Sequence, residues 1–172
     1  MKIIELGNPI LRKKAKLVSK TEINSSKFQI FVKNLIKTCG EKNGVGIAAS
    51  QVGISKRVFV VWSKPNKRYK KAPVFGPEVV INPKIISSSK QKVKGWEGCL
   101  SVPGIRGLVP RAKLVRVEYL NNKGKKVKTS FSNFIARIFQ HEFDHLYGIV
   151  FLDRTDPKDL VTEAEYKKKL RR

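Results

Sequence analysis

Apolar and polar positions along this chain repeat with two periods, and each period marks a different kind of element. From Phe28 the apolar side chains return at Phe31, Val32, Leu35, Ile36 and Cys39, the i, i+3, i+4, i+7 spacing of one helical face. Asn24-Ser25-Ser26 offers N-cap residues and Gly40 a stop, so the pattern predicts an amphipathic helix near the N-terminus. Ahead of it Ile3, Ile4 and Leu6, the turn Gly7-Asn8-Pro9 and Ile10-Leu11-Arg12 suggest an extended arm packed on the body. β-Branched and aromatic runs at Arg57–Trp62 and Glu78–Asn82 read as strands, separated by a Lys- and Pro-rich surface loop from Ser63 to Pro77. Residues 84–94 are polar enough for an exposed strand or loop, and Gly95–Gly104 is turn-rich. Leu114–Leu120 and Lys126–Phe131 alternate around Asn121-Asn122-Lys123-Gly124, an antiparallel hairpin.

From Asn133 the period becomes helical again. Phe134, Ile135, Ile138 and Phe139 lead onto His141, Glu142 and His145, and Gly148 ends the run. A terminal helix is expected from Asp156-Pro157, ending in the basic Lys167–Arg172. With no internal repeat or linker, the expectation is one domain over residues 1–172. Its class is α+β: antiparallel or mixed sheets around a central helix, with an N-terminal amphipathic helix and a short C-terminal one.

Composition changes this picture little. The 41% hydrophobic content is that of an ordinary globular protein, and no segment makes a signal core or a membrane span, so a cytoplasmic location is expected. The formal charge of +24 invites a nucleic-acid reading. Yet Lys outnumbers Arg 27 to 10, and the lysines scatter over turns and solvent positions instead of forming an arginine-rich groove with stacked aromatics. That distribution is adequately explained by lysine-biased usage on a solvated surface; a weak, salt-sensitive affinity for RNA surfaces still follows from the charge, without sequence-specific nucleic-acid binding. The two cysteines are expected as free thiols, Cys39 a buried hydrophobe on its helix.

Candidate chemistry enters at Gln140–His145. The chain's only two histidines stand in H-E-x-x-H spacing, one helical turn apart on one face, so both imidazoles can reach one cation while Glu142 reaches its water. Glu163 or Glu165 could supply a third ligand, as in a zinc endopeptidase, but both lie in a polar tail. Cys99, in the Gly-flanked stretch Gly95–Gly104, is the better candidate, giving two imidazoles, a thiolate and an open position. Gly44–Gln51 is a run of small residues ending in an amide; it reads either as a tight loop under a strand or as backbone that must approach something closely.

Taken in order, Gly44-Val45-Gly46-Ile47-Ala48-Ala49-Ser50-Gln51, Glu97-Gly98-Cys99-Leu100-Ser101 and Gln140-His141-Glu142-Phe143-Asp144-His145 resemble the three motifs of the peptide deformylases. Further similarity lies at Pro9–Arg12, Val109-Pro110-Arg111, Leu146-Tyr147-Gly148 and Asp153-Arg154, and so covers most of the chain. The resemblance implies a divalent metal on Cys99, His141 and His145, natively Fe(II), with Zn(II), Ni(II) or Co(II) acceptable to such a site. It implies removal of the formyl group from N-formylmethionyl nascent peptides. Glu142 would be general base and acid, with the Gln51 amide and the Leu100 N–H facing the developing oxyanion. Substrate is expected along Gly44, Val45 and Gly46 as an added strand, its methionine against Val45, Phe134 and Ile138, with Arg106 meeting its backbone. Glu97, Arg111 and Asp144 would form buried ion pairs that either orient the ligands or serve the structure alone. The basic C-terminal tail suggests a ribosome surface as partner.

Overall fold

The continuous apolar run Val58-Phe59-Val60-Val61 explains the layering. In a strand these side chains alternate between faces, and here both faces are buried. The computed structural model, which describes residues 1–169, forms a strand β2 from Val58–Ser63. Its Phe59 and Val61 face the helix α3 (Asn133–His145) across the main core, and Phe59 meets Phe139 edge-on with centroids 5.1 Å apart. Val58 and Val60 face the opposite way, toward Phe28, Val32, Leu35 and Cys39 of the helix α2 (Ser26–Glu41). Ser25 caps α2, accepting from the Phe28 N–H, and a short helix α1 (Lys20–Ile23) leads into it.

The larger sheet has five strands in the order β1-β2-β3-β6-β7: β1 is Gly46–Ala48, β3 Phe75–Ser88, β6 Leu114–Leu120 and β7 Lys126–Ser132. A second sheet pairs β4 (Lys92–Cys99), β5 (Val102–Ala112) and β8 (Leu160–Thr162). Neighbouring strands in both are antiparallel, and one isolated parallel bridge joins Lys16 to Lys56. The helix α3 packs on β1, β2 and β7 and reaches β5, so it stands between the sheets.

The expected hairpin, both longer helices and the packed arm are present. Residues 84–94 prove extended at both ends, belonging to β3 and then β4. The turn-rich reading of Gly95–Gly104 gives way to a β4–β5 hairpin whose tip is Leu100-Ser101, with Cys99 opposite Val102 and a register shift between Glu97 and Cys99. The C-terminal segment starts as a 3-10 turn at Pro157–Asp159, because Leu160-Val161-Thr162 pairs with the β5 edge before the helix α4 (Glu163–Lys169) begins. Residues 170–172 of the basic tail lie outside the described residues. None of the described helices is long and apolar enough to cross a membrane.

Candidate metal centre

Helical spacing sets His141 and His145 one turn apart, and the last residue of β4 brings Cys99 to them. The ligand atoms of the three residues lie within 4.8 Å of one another and all three are buried. Cys99 Sγ is 3.3 Å from His145 Nε2. Glu97 Oε2 sits 2.9 Å from His141 Nδ1, an arrangement that orients the ring and turns Nε2 toward the cluster. Glu163 is held elsewhere by Arg106, and Glu163 and Glu165 are not part of the cluster.

The charges around these ligands are paired. Burial would raise the Glu97 carboxyl, but Arg111 and the His141 hydrogen bond hold it well below the usual carboxylate range. Arg111 donates from Nε and Nη2 to Glu97 at 3.0 Å each, and from Nη1 to Asp144 at 2.5 Å. Arg137 adds a bond to Glu97 at 2.8 Å, and Arg154 closes on Asp144 at 2.9 Å. Burial likewise opposes ionisation of Cys99, yet the adjacent histidines bring its thiol well below the ordinary value. His141 is raised well above its usual range, against burial, by Cys99 and Glu97. A thiolate with two imidazoles is a donor set that suits a divalent cation.

Glu142 stands beside the cluster. Burial pushes its carboxyl up to about 7, and Oε2 is buried without a protein hydrogen-bond partner. The close approach anticipated at the small-residue run is made by this side chain: a Cβ on Gly46 would lie 2.5 Å from Glu142 Oε1. Gln51 is oriented by its own loop. Its Oε1 accepts the Ala48 N–H at 2.8 Å, which turns Nε2 toward Cys99 Sγ at 3.2 Å and Ser101 Oγ at 3.3 Å. The N-terminal arm supports both loops, with Ile4 N–H on the Gln51 carbonyl and Leu6 N–H on that of Ser101, each at 2.8 Å.

A cleft opens over these groups, and Val45, Gly46, Gln51, Leu100, Phe134 and Ile138 all line it. Two expected substrate residues do not. The Gly44 N–H is bonded to the Cys39 carbonyl at 2.8 Å, and the Gly44 backbone packs against Cys39. Arg106 is fully buried, its guanidinium spent on Glu163 and Tyr69 behind the wall, because Gly98 leaves room for it there. The sequence reading missed Arg68, Tyr69, Trp96 and Arg137, which line the same cleft. Arg137 carried a usable signal: it precedes His141 by four residues and so shares the metal face of α3. Tyr69 carried a weaker one, as the single aromatic between Trp62 and Phe75 in a lysine-rich loop.

A thiolate and two imidazoles beside a carboxylate of raised pKa, at the end of an apolar cleft, are the working parts of a metal-dependent hydrolase. Comparison with known proteins narrows that class. The sequence model of the family described as polypeptide deformylase matches residues 1–160. A peptide deformylase 2 from Nostoc sp. is 52% identical over 165 residues, covering 95% of this chain and 91% of that one. The peptide deformylase of Desulforudis audaxviator is 43% identical over 152 residues, 88% of this chain and 91% of its own. Among solved structures, the Met-Ala-Ser-bound class I type b peptide deformylase from Acinetobacter baumannii matches with a TM-score of 0.87 at 47% identity, covering 90% of this chain and 97% of that chain. The peptide deformylase of Thermotoga maritima matches at 0.79 and 38% identity, covering 91% and 97%.

The chain belongs to the polypeptide deformylase family. Its reaction is the metal-dependent hydrolysis that removes the formyl group from the N-terminus of nascent peptides.

Proposed function

We propose that Cys99 Sγ and the Nε2 atoms of His141 and His145 hold an Fe(II) ion, and that Glu142, Gln51 and Leu100 carry out the chemistry beside it. The observation that carries this reading is the convergence of the three ligand atoms within 4.8 Å at a cleft that Glu142, Gln51 and Leu100 also line. Bound there, a divalent ion supplies Lewis acidity toward water and the formyl oxygen. Glu142 takes the proton of the attacking water, a task suited to a buried carboxylate pushed up to about 7. As the formyl oxygen gains charge, the Gln51 Nε2 and Leu100 N–H groups donate to it. Glu142 then returns its proton to the departing amine, leaving formate and a free N-terminus.

Substrate enters as an added strand. Gly46 lies on β1, the edge strand of the larger sheet, so a peptide can pair beside Val45 and Gly46 while Gly44 sets the backbone before them. Its methionine occupies the apolar end of the cleft against Val45, Phe134 and Ile138. The Acinetobacter baumannii relative binds Met-Ala-Ser, which supports a methionine-led peptide as the ligand of this cleft. The chain works as one catalytic domain over residues 1–172 in the cytoplasm, where neither cysteine is oxidised to a disulfide, so Cys39 stays a buried thiol and Cys99 stays available to the metal. Lys167, Lys168 and Lys169 in the last turn of α4 support contact with a ribosome surface.

Turnover of formyl- and acetyl-Met-Ala-Ser, followed anaerobically with the metal content measured, tests the assignment. Formyl is cleaved in preference to acetyl, Fe(II) supports turnover, and air abolishes it. A Cys99→Ala protein that keeps full activity overturns the ligand set.

A further inference from the structure

Arg106 joins parts of the chain that are far apart in sequence. From β5 its Nη1 donates to the Tyr69 hydroxyl at 3.0 Å, and its Nε and Nη2 hold Glu163 of α4 at 2.6 and 3.2 Å. The guanidinium also lies against two rings, 5.2 Å from the Tyr69 centroid and 4.9 Å from that of Tyr166. Gly98 makes this passage open, since a Cβ there would meet Nη1 at 2.9 Å. Tyr69 in turn packs on Phe134 with centroids 5.5 Å apart, and both rings line the cleft.

The loop that carries Tyr69 is held at its neck, where the Ser63 hydroxyl donates to the Pro73 carbonyl and Lys64 lies over the Trp62 ring at 4.1 Å, but its tip has no ion pair among the described residues. Between Ser63 and Pro77 it bears Lys64, Lys67, Arg68, Lys70 and Lys71 and no acidic residue, and none of these cations makes an ion pair among the described residues. Asn66 forms the turn, its Oδ1 accepting from the N–H groups of Arg68 and Tyr69 at 2.8 and 3.0 Å, and this sets Tyr69 inward. Mutual repulsion of the five cations opens such a loop unless an inward anchor opposes it. The hydroxyl bond and ring stacking on Arg106 are that anchor. Arg106 itself is fixed by Glu163, a half-buried carboxylate that meets the buried guanidinium from the surface side.

We propose that Tyr69 is a specificity-determining wall of the methionine site, and that Arg106 and Glu163 are positioning residues that hold it there. This rests on the deformylase reading of the cleft given above. The C-terminal helix thereby helps shape the substrate site although it contributes no side chain to the reaction.

Kinetics of the metal-loaded protein test it, with formyl-Met-Ala-Ser and a counterpart carrying Phe in place of Met. Tyr69→Ala raises KM for the Met peptide about tenfold and erodes the preference for Met over Phe, since the wall is gone. Tyr69→Phe keeps the ring, loses the hydroxyl bond and raises KM about threefold. Glu163→Gln raises KM by a similar factor, and Glu163→Asp restores part of the loss. A purely structural role lowers the fraction of active, metal-loaded protein and so the apparent kcat, leaving KM and side-chain preference alone. Unchanged KM and preference in Tyr69→Ala, or a Glu163→Gln loss confined to kcat, overturns the inference while wild-type turnover leaves the deformylase reading standing. Absence of formyl-peptide turnover by the wild type overturns that reading and the inference with it.

Discussion

Glu97 is one carboxylate that serves two arginines and a histidine at once, and it stays ionised in a buried position because of them. Neutralising it leaves Arg111 and Arg137 short of a counter-charge in a place where water cannot substitute. Glu97→Gln is therefore expected to lower stability by about 3 kcal/mol, read from urea unfolding. It also frees the His141 ring, so metal affinity should fall by about tenfold to hundredfold in competition with a chelator. Gly46 answers to a different constraint. A methyl group there collides with Glu142 Oε1, so Gly46→Ala should cut kcat by about a hundredfold with metal content unchanged, measured on formyl-Met-Ala-Ser.

At the scale of elements, β2 is the strand on which both layers depend. Its two faces serve different helices, so truncation on either side opens a cavity that neither helix can fill by moving alone. Phe59→Ala should cost about 4 kcal/mol, seen as a lower urea midpoint with an unchanged m value. Ile86, on the outer end of β3, is 61% exposed, and Ile86→Ala in the same measurement should change stability by less than about 0.5 kcal/mol. The hairpin of β4 and β5 serves the site more than the core. Cys99 and Leu100 stand at its closed end, and the N-terminal arm links that end to the loop holding Gln51, with Leu6 N–H on the Ser101 carbonyl and Ile4 N–H on that of Gln51.

Across the whole molecule the charge of +24 is spread over the surface, while the charges of the site are paired inside. The two therefore separate experimentally. Binding of a labelled single-stranded RNA should weaken steeply between about 50 and 200 mM salt, and His141→Ala should leave it undisturbed. Retention of RNA affinity at high salt, or its loss in that variant, would tie the charge to the site instead.

Much of this was readable along the chain, for a physical reason that can be stated. Helical and strand periods are local, so α2, α3 and the β6–β7 hairpin follow from neighbours a few residues apart, and so does the pairing of His141 with His145. The role expected of Cys99 rested on chemistry and family resemblance, and folding placed it beside both histidines. Folding alone settled the positions of Arg137, Arg154, Tyr69 and Arg106. Each is a cation, or a ring held by one, whose partner lies on another element, and whether it faces water or a buried carboxylate depends on how remote strands approach. Arg106 marks the boundary most clearly: the family resemblance suggested contact with substrate, but Gly98, Glu163 and Tyr69 surround it and keep its guanidinium buried behind the cleft lining.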